Sequence, residues 1–139
     1  MVRKKRIYLN EKNTKYCIVK MYGSAKEMQY AMKNEGSGTL QYKTCLGLHM
    51  AYSKMVFKKS WSLSPQTGTV YLCKQHSGAG IATHELMHAT LWAHKHKKAK
   101  QQYPFVIKNM IEEETILRNF THAVMQFYRW YWKIEKQLK

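Results

Sequence analysis

The feature that most restricts this 139-residue chain is the string His84-Glu85-Leu86-Met87-His88, set behind a strand-like run and a glycine-rich turn. Thr69-Val70-Tyr71-Leu72-Cys73-Lys74 is the clearest strand signal in the sequence. Ser77-Gly78-Ala79-Gly80 then opens a helix expected to continue to about Lys98. On a helix, residues four apart differ by about 40° in direction and ~6 Å in height. Two imidazoles at that spacing point the same way and suit one tetrahedral Zn²⁺. Glu85 lies beside that face, where its carboxylate can take a proton from water that the metal has acidified. Ile81 and Ala82 before the motif, with Ala89, Leu91 and Trp92 after it, fit a helix buried along one side.

A catalytic zinc takes a third protein ligand and leaves one position open. His94 stands ten residues after His84, but Leu91 occupies the place where a glycine would let the chain turn back to the metal. If the helix runs on, His94 points about 100° away from the ligand face, ~9 Å beyond His88. The second candidate is the Glu112-Glu113-Glu114 run. At 100° per residue, Glu113 shares a line with Leu117, Phe120, Val124, Phe127 and Tyr131. Glu112 shares its line with Asn119 and Gln126, and Glu114 with Arg118 and Thr121. Glu113 is therefore the acid expected to point inward, where a carboxylate needs a cation.

Around these segments the pattern is α+β: a small, mostly antiparallel sheet with the motif helix and a long C-terminal helix. Residues 1–13 read as a loose basic arm with a short strand near Arg6–Leu9, and Tyr16–Tyr22 as a strand. Ser24 followed by Glu27 is a capping box for a helix over about Ala25–Lys33. Leu40–Tyr52 and Lys54–Lys59 read as one or two strands, and Pro65–Gly68 as a turn. A loop is expected around Gln101–Pro104, followed by a helix over about Ile107–Lys136. The length suits one domain over 1–139.

With 24 Lys+Arg against 8 acids, all of them Glu, the net charge is +16. Such a field attracts polyanions, so nucleic-acid contact through the basic surface is one expected partnership. Hydrophobic residues make up 45%, too many for a disordered basic tail. No apolar run reaches the ~18 residues of a membrane span. Met1–Arg6 resembles a signal-peptide start, but Asn10, Glu11 and Lys12 precede any apolar region, so a cytoplasmic protein is expected. Three widely spaced cysteines suit free thiols in a reducing compartment. Cys73 with His76 lacks a second metal-binding pair, and His49 and His122 read as structural. Tyr128–Lys133 reads as core aromatics interleaved with snorkelling bases.

On Gly68–Leu72, Gly78–Ala93 and Glu112–Phe127 the chain resembles the zincin metallopeptidases, in the branch whose third ligand is a Glu on a second helix. It is most similar to small single-domain H-E-x-x-H proteins of bacteriophages and mobile elements, which would place it in a bacterial host. The resemblance implies a zincin-like domain with His84 and His88 as zinc ligands and Glu85 as catalytic base. One acid of 112–114, Glu113 by helical phase, would be the third ligand. It also implies that the strand Thr69–Cys73 is the edge pairing with an extended peptide, through Val70, Tyr71 and Leu72. The chain departs from that pattern in having no Asp to orient a ligand histidine, and residues 1–60 carry no likeness. The expected function is hydrolysis of a protein or peptide substrate by a zinc metallopeptidase. The alternatives are a basic nucleic-acid-binding module with a structural zinc, or a zincin scaffold that binds without cleaving.

Overall fold

The computed structural model describes residues 2–35, 46–51, 55–76, 78–95 and 109–137. The fold is α+β. In chain order its elements are β1 (Arg3–Tyr8), β2 (Tyr16–Tyr22), α1 (Ala25–Asn34), β3 (Gly47–Ala51), β4 (Met55–Phe57), β5 (Trp61–Leu63), β6 (Gln66–Cys73), α2 (Ala79–Lys95) and α3 (Met110–Gln137). A four-stranded sheet has the order β1-β2-β6-β3, and β4 and β5 form a separate hairpin. Two of the three pairings in the larger sheet are antiparallel, and only β2 and β6 run parallel.

Alternation along β6 divides the interior. Val70 and Leu72 face a core shared with Ile7, Cys17, Val19, Ala82, Leu86, Ala89, Ala123 and Phe127, so α2 and α3 cover that side. Tyr71 and Cys73 face the opposite side, where Met28 and Met32 of α1 close the second core. Period-2 alternation on a sheet buried on both faces thus accounts for the near-continuous apolar run at Val70–Cys73. Ser24 caps α1 as the sequence implies, its side chain accepting the Glu27 N–H at 3.2 Å.

The N-terminal segment is not a loose arm. β1 pairs with β2 over six residues, and Ile7 and Leu9 are fully buried. Its lysines and arginines hide the strand from a composition reading, because only the inward Ile7 and the following Leu9 contribute to the core. The expected turn at 65–68 is shorter than it reads: β6 already begins at Gln66, and the Pro65 carbonyl accepts the Tyr16 N–H at 2.9 Å. Gly68 belongs to the strand because a side chain there would meet the Met50 carbonyl oxygen at 2.6 Å and His49 Nε2 at 2.7 Å. It is a close-approach glycine rather than a turn glycine.

The long helix is present, and Phe120, Val124, Phe127 and Tyr131 of the expected line pack on the core, but the most deeply buried stripe is rotated from that line. Ile116, Asn119, Ala123, Phe127 and Ile134 are buried, whereas Leu117 is 43% exposed. The cause is polar pinning. Gln126 Oε1 accepts the Tyr8 N–H and its Nε2 donates to the Tyr8 carbonyl, both at 2.9 Å. Asn119 Oδ1 accepts the Glu11 N–H at 3.1 Å. These amides satisfy backbone groups at the end of β1 and turn toward the protein a line that reads as solvent-facing. The expected strand residues 40–45 and 52–54 and the loop at 101–104 lie outside the described residues. Among the described residues, no helix is long and apolar enough to cross a membrane.

Candidate metal centre

Helix α2 is anchored by Ala82, Leu86, Ala89 and Ala93, all essentially buried. Small residues let the helix lie close to the sheet, and Thr90 satisfies its hydroxyl on the Leu86 carbonyl at 2.8 Å. His84 and His88 emerge on the outer side, both exposed. Their rings stand nearly perpendicular, with centroids 4.6 Å apart, and the two Nε2 atoms approach to 3.0 Å. Two nitrogens that each sit ~2.0–2.1 Å from a tetrahedral zinc would be separated by roughly 3.3 Å. The imidazoles therefore converge with nearly the bite a zinc ion requires, and the donor set suits that metal. Among the described residues, no group of three His, Cys, Asp or Glu side chains forms a complete metal-binding cluster.

One wall beside these histidines is the edge strand β3. A Cβ on Gly47 would stand 2.7 Å from Ile81 Cγ2 and 3.4 Å from Glu85 Cγ. The missing side chain is what lets β3 pack against α2 at Ile81 and the aliphatic stem of Glu85. Two residues on, His49 lies on the same face of β3, in register with Val70 of the buried core. Its Nε2 is buried with no hydrogen-bond partner among the described residues. Burial, with a smaller contribution from His88, pushes its pKa down to about 4. It is a neutral imidazole in electrostatic reach of the histidine pair. Read as structural from sequence, His49 is buried as such a residue would be, and its imidazole lies near enough to His88 to feel its charge. Its neighbours in sequence carry no local signal of this; only the register of β3 on β6 reveals it.

The acids of α3 fall elsewhere. The half-buried member of the run is Glu112, whose Oε1 meets His94 Nε2 at 3.1 Å and Lys95 Nζ at 2.5 Å. Glu113 and Glu114 are exposed. The expected inward phase is thus off by one residue, for the reason given by Gln126 and Asn119. Direction matters as well. Measured round α2 from its buried face, Ile81, Glu85 and His88 lie to one side by roughly 70–130°, and His94 lies roughly 110° to the other. Because His94 is the residue that meets Glu112, the start of α3 flanks the side of α2 turned away from His88. Glu113 is not gathered with the pair. His94 itself follows the uninterrupted helix as expected, and it is pinned by Glu112 instead of lying free on the surface.

The expected substrate-pairing strand needs a further correction. Val70, Tyr71 and Leu72 are buried, and their strand is hydrogen-bonded to β2 on one side and β3 on the other. A strand paired on both sides has no groups left for a peptide. Among the described residues the edges of the larger sheet are β1 and β3, and β3 is the one beside Glu85. The strongest strand signal marked the centre of the sheet because full burial, not edge position, produces a continuous apolar run.

No family model, no curated protein and no solved structure matches this chain. The remaining sequence candidates are placed simply. His122 Nε2 pairs with Asn13 Oδ1 at 2.8 Å, a tie to the N-terminal segment. Cys73 is a buried free thiol at the end of β6, and His76 is exposed in the short turn after it. Tyr128, Trp130 and Tyr131 pack on the core while Arg129 and Lys133 stay exposed.

Proposed function

We propose that this chain is a zinc-dependent metallopeptidase acting on a protein substrate in the cytoplasm. The observation that carries the reading is the 3.0 Å convergence of His84 and His88 Nε2 beside Glu85, on the side of α2 lined by the edge strand. His84 and His88 would hold the ion, which when bound supplies a Lewis acid that polarises a carbonyl and acidifies water. Glu85 then takes the proton from the attacking water and delivers it to the leaving amine nitrogen. Among the described strands β3 pairs with β6 alone, so an extended peptide would add along its other side as a further strand. Neutral His49 limits the positive charge beside the pair, which favours uptake of a dication.

The test is hydrolysis of unfolded casein by zinc-loaded protein, with zinc content measured on the same samples. Glu85→Gln is expected to keep the metal and lose about 10²–10⁴-fold in rate, whereas His84→Ala and His88→Ala lose both. Loss of zinc in Glu85→Gln would make that residue a ligand and overturn its role as base.

A second reading, nucleic-acid contact, rests on two adjoining surface grooves. One is lined by Lys4, Lys5, Arg6 and Lys20, the other by Lys5, Arg6, Arg129 and Lys133, and neither has an acidic residue in its lining. Both lie along β1, at the sheet edge opposite β3, so a polyanion held there would leave the α2–β3 side open.

A further inference from the structure

The β4–β5 hairpin stands apart from the two cores. Its pairs are Met55 with Leu63, Val56 with Ser62 and Phe57 with Trp61, so Met55, Phe57, Trp61 and Leu63 share one face. Phe57 is 60% exposed and Trp61 67% exposed, with ring centroids 5.3 Å apart and planes inclined at 50°. The turn joining them is Lys58-Lys59-Ser60, all three exposed, closed by the Lys58 N–H on the Ser60 carbonyl at 3.3 Å. A two-stranded hairpin is marginal in water unless something covers it, and two large rings side by side at its tip are not the scattered apolar residues of an ordinary surface.

Charge decides what fits. From Gly36 to His84 the sequence holds five lysines and no acidic residue. The exposed rings are therefore bracketed by ammonium and hydroxyl donors, with no carboxylate nearby in sequence to repel an anion. Flat π-faces beside phosphate-binding donors form the recognition surface for unpaired bases. A duplex offers its phosphates but keeps its base faces stacked, so the rings would gain nothing from it.

We propose that the β4–β5 hairpin is a docking site for single-stranded nucleic acid, in which Phe57 and Trp61 stack on bases while Lys58 and Lys59 contact the flanking phosphates. The site is independent of the histidine pair and does not rest on the peptidase reading. It differs from the grooves along β1, whose lining rings, Tyr8 and Trp130, are half-buried.

The experiment uses the full chain and a fluorescein-labelled twelve-nucleotide oligothymidylate, with a duplex of equal length and phosphatidylglycerol vesicles as comparators. Fluorescence anisotropy gives affinity across a salt series, and melting is followed for every variant. Wild type is expected to prefer the single strand to the duplex. Phe57→Ala/Trp61→Ala should weaken oligothymidylate binding about 5- to 150-fold for each stacked base, with melting unchanged. Lys58→Glu/Lys59→Glu should weaken it too, and loss of two phosphate contacts should flatten the log–log salt slope by about 1.4. The proposal is overturned if the aromatic double variant binds as wild type does, which would leave binding to the general charge. A large drop in melting temperature for that variant also overturns it, since the rings would then be covered by the chain itself. Tighter ring-dependent binding to vesicles than to oligothymidylate would make the hairpin a membrane contact and overturn it equally.

Discussion

Two glycines and one histidine show how single residues set the site. An added Cβ would stand 2.6 Å from a backbone carbonyl at Gly68 and 2.7 Å from a branched side chain at Gly47, while nothing lies within 4 Å of one on Gly78. Gly68→Ala must displace strand β3 and is expected to cost about 2–3 kcal/mol, as overpacking does. Gly78→Ala should fall within about 0.5 kcal/mol of wild type. Urea denaturation of the two variants checks both values. His49 adds a pH dependence. Its pKa is about 4 in the fold against roughly 6.5 unfolded, so the unfolded chain binds more protons between those values. Stability from neutral burial is complete above about pH 6.5 and is lost as pH falls toward 4, by at most about 3 kcal/mol. In chelator-treated protein, His49→Gln should remove that part of the acid dependence. An unchanged stability profile between pH 7 and 4 would place the imidazole in water. Cys17 belongs to the same scale: fully buried, with burial pushing its thiol to about 12, it should resist alkylation in folded protein, as peptide mapping by mass spectrometry would show.

At the scale of elements, what the sequence reveals depends on which physical signal a segment carries. β2, α1 and β6 announce themselves through β-branched or apolar runs and a serine cap, and each lies within a few residues of its expected bounds. The H-E-x-x-H spacing likewise places His84, Glu85 and His88 on one helical turn, and the converging ring nitrogens follow from that. Two things escape such reading. One is the pairing partner of a strand: β6 looks like the prominent edge and is the interior, because burial on both faces reads only as hydrophobicity. The other is polar side chains that satisfy a distant backbone. Gln126 and Asn119 count as solvent-facing until Tyr8 and Glu11 are seen against them, and that shift moves Glu113 outward and Glu112 inward. The corrected phase is testable. Phe127→Ala should cost about 3–5 kcal/mol and Leu117→Ala under about 1 kcal/mol. Gln126→Ala, which leaves the Tyr8 amide and carbonyl unpaired, should cost about 1–3 kcal/mol. Equal costs at Phe127 and Leu117 would restore the phase expected from periodicity alone.

Across the whole molecule, the candidate metal centre and the basic strand β1 lie at opposite edges of the described sheet. The edge strand β3 lies against α2 at Glu85, while β1, at the opposite edge, carries Arg3, Lys4, Lys5 and Arg6. A net charge of +16 is large for so small a body and acts over about a Debye length, ~8 Å at physiological salt. Lys20 beside Glu35 at 2.8 Å, with Tyr71 donating to the same carboxylate, offsets little of it. Burial pushes the Glu35 carboxyl up, but the hydrogen bonds from Lys20 and Tyr71, together with the charges of Lys20 and Lys4, hold it below its ordinary value. That contribution to stability is present above the unfolded carboxylate pKa and is lost as pH falls through the depressed one.

The functional reading of the α2–β3 side turns on whether the two converging imidazoles hold a metal. Cobalt(II) titration of chelator-stripped protein, followed by visible absorption and competed with zinc, tests it most directly. The account predicts one equivalent bound with tetrahedral-type bands, displaced by zinc. Those bands should be retained in Glu85→Gln and absent from His84→Ala and His88→Ala. Saturable binding that survives loss of both histidines, or no binding by wild type, would contradict it.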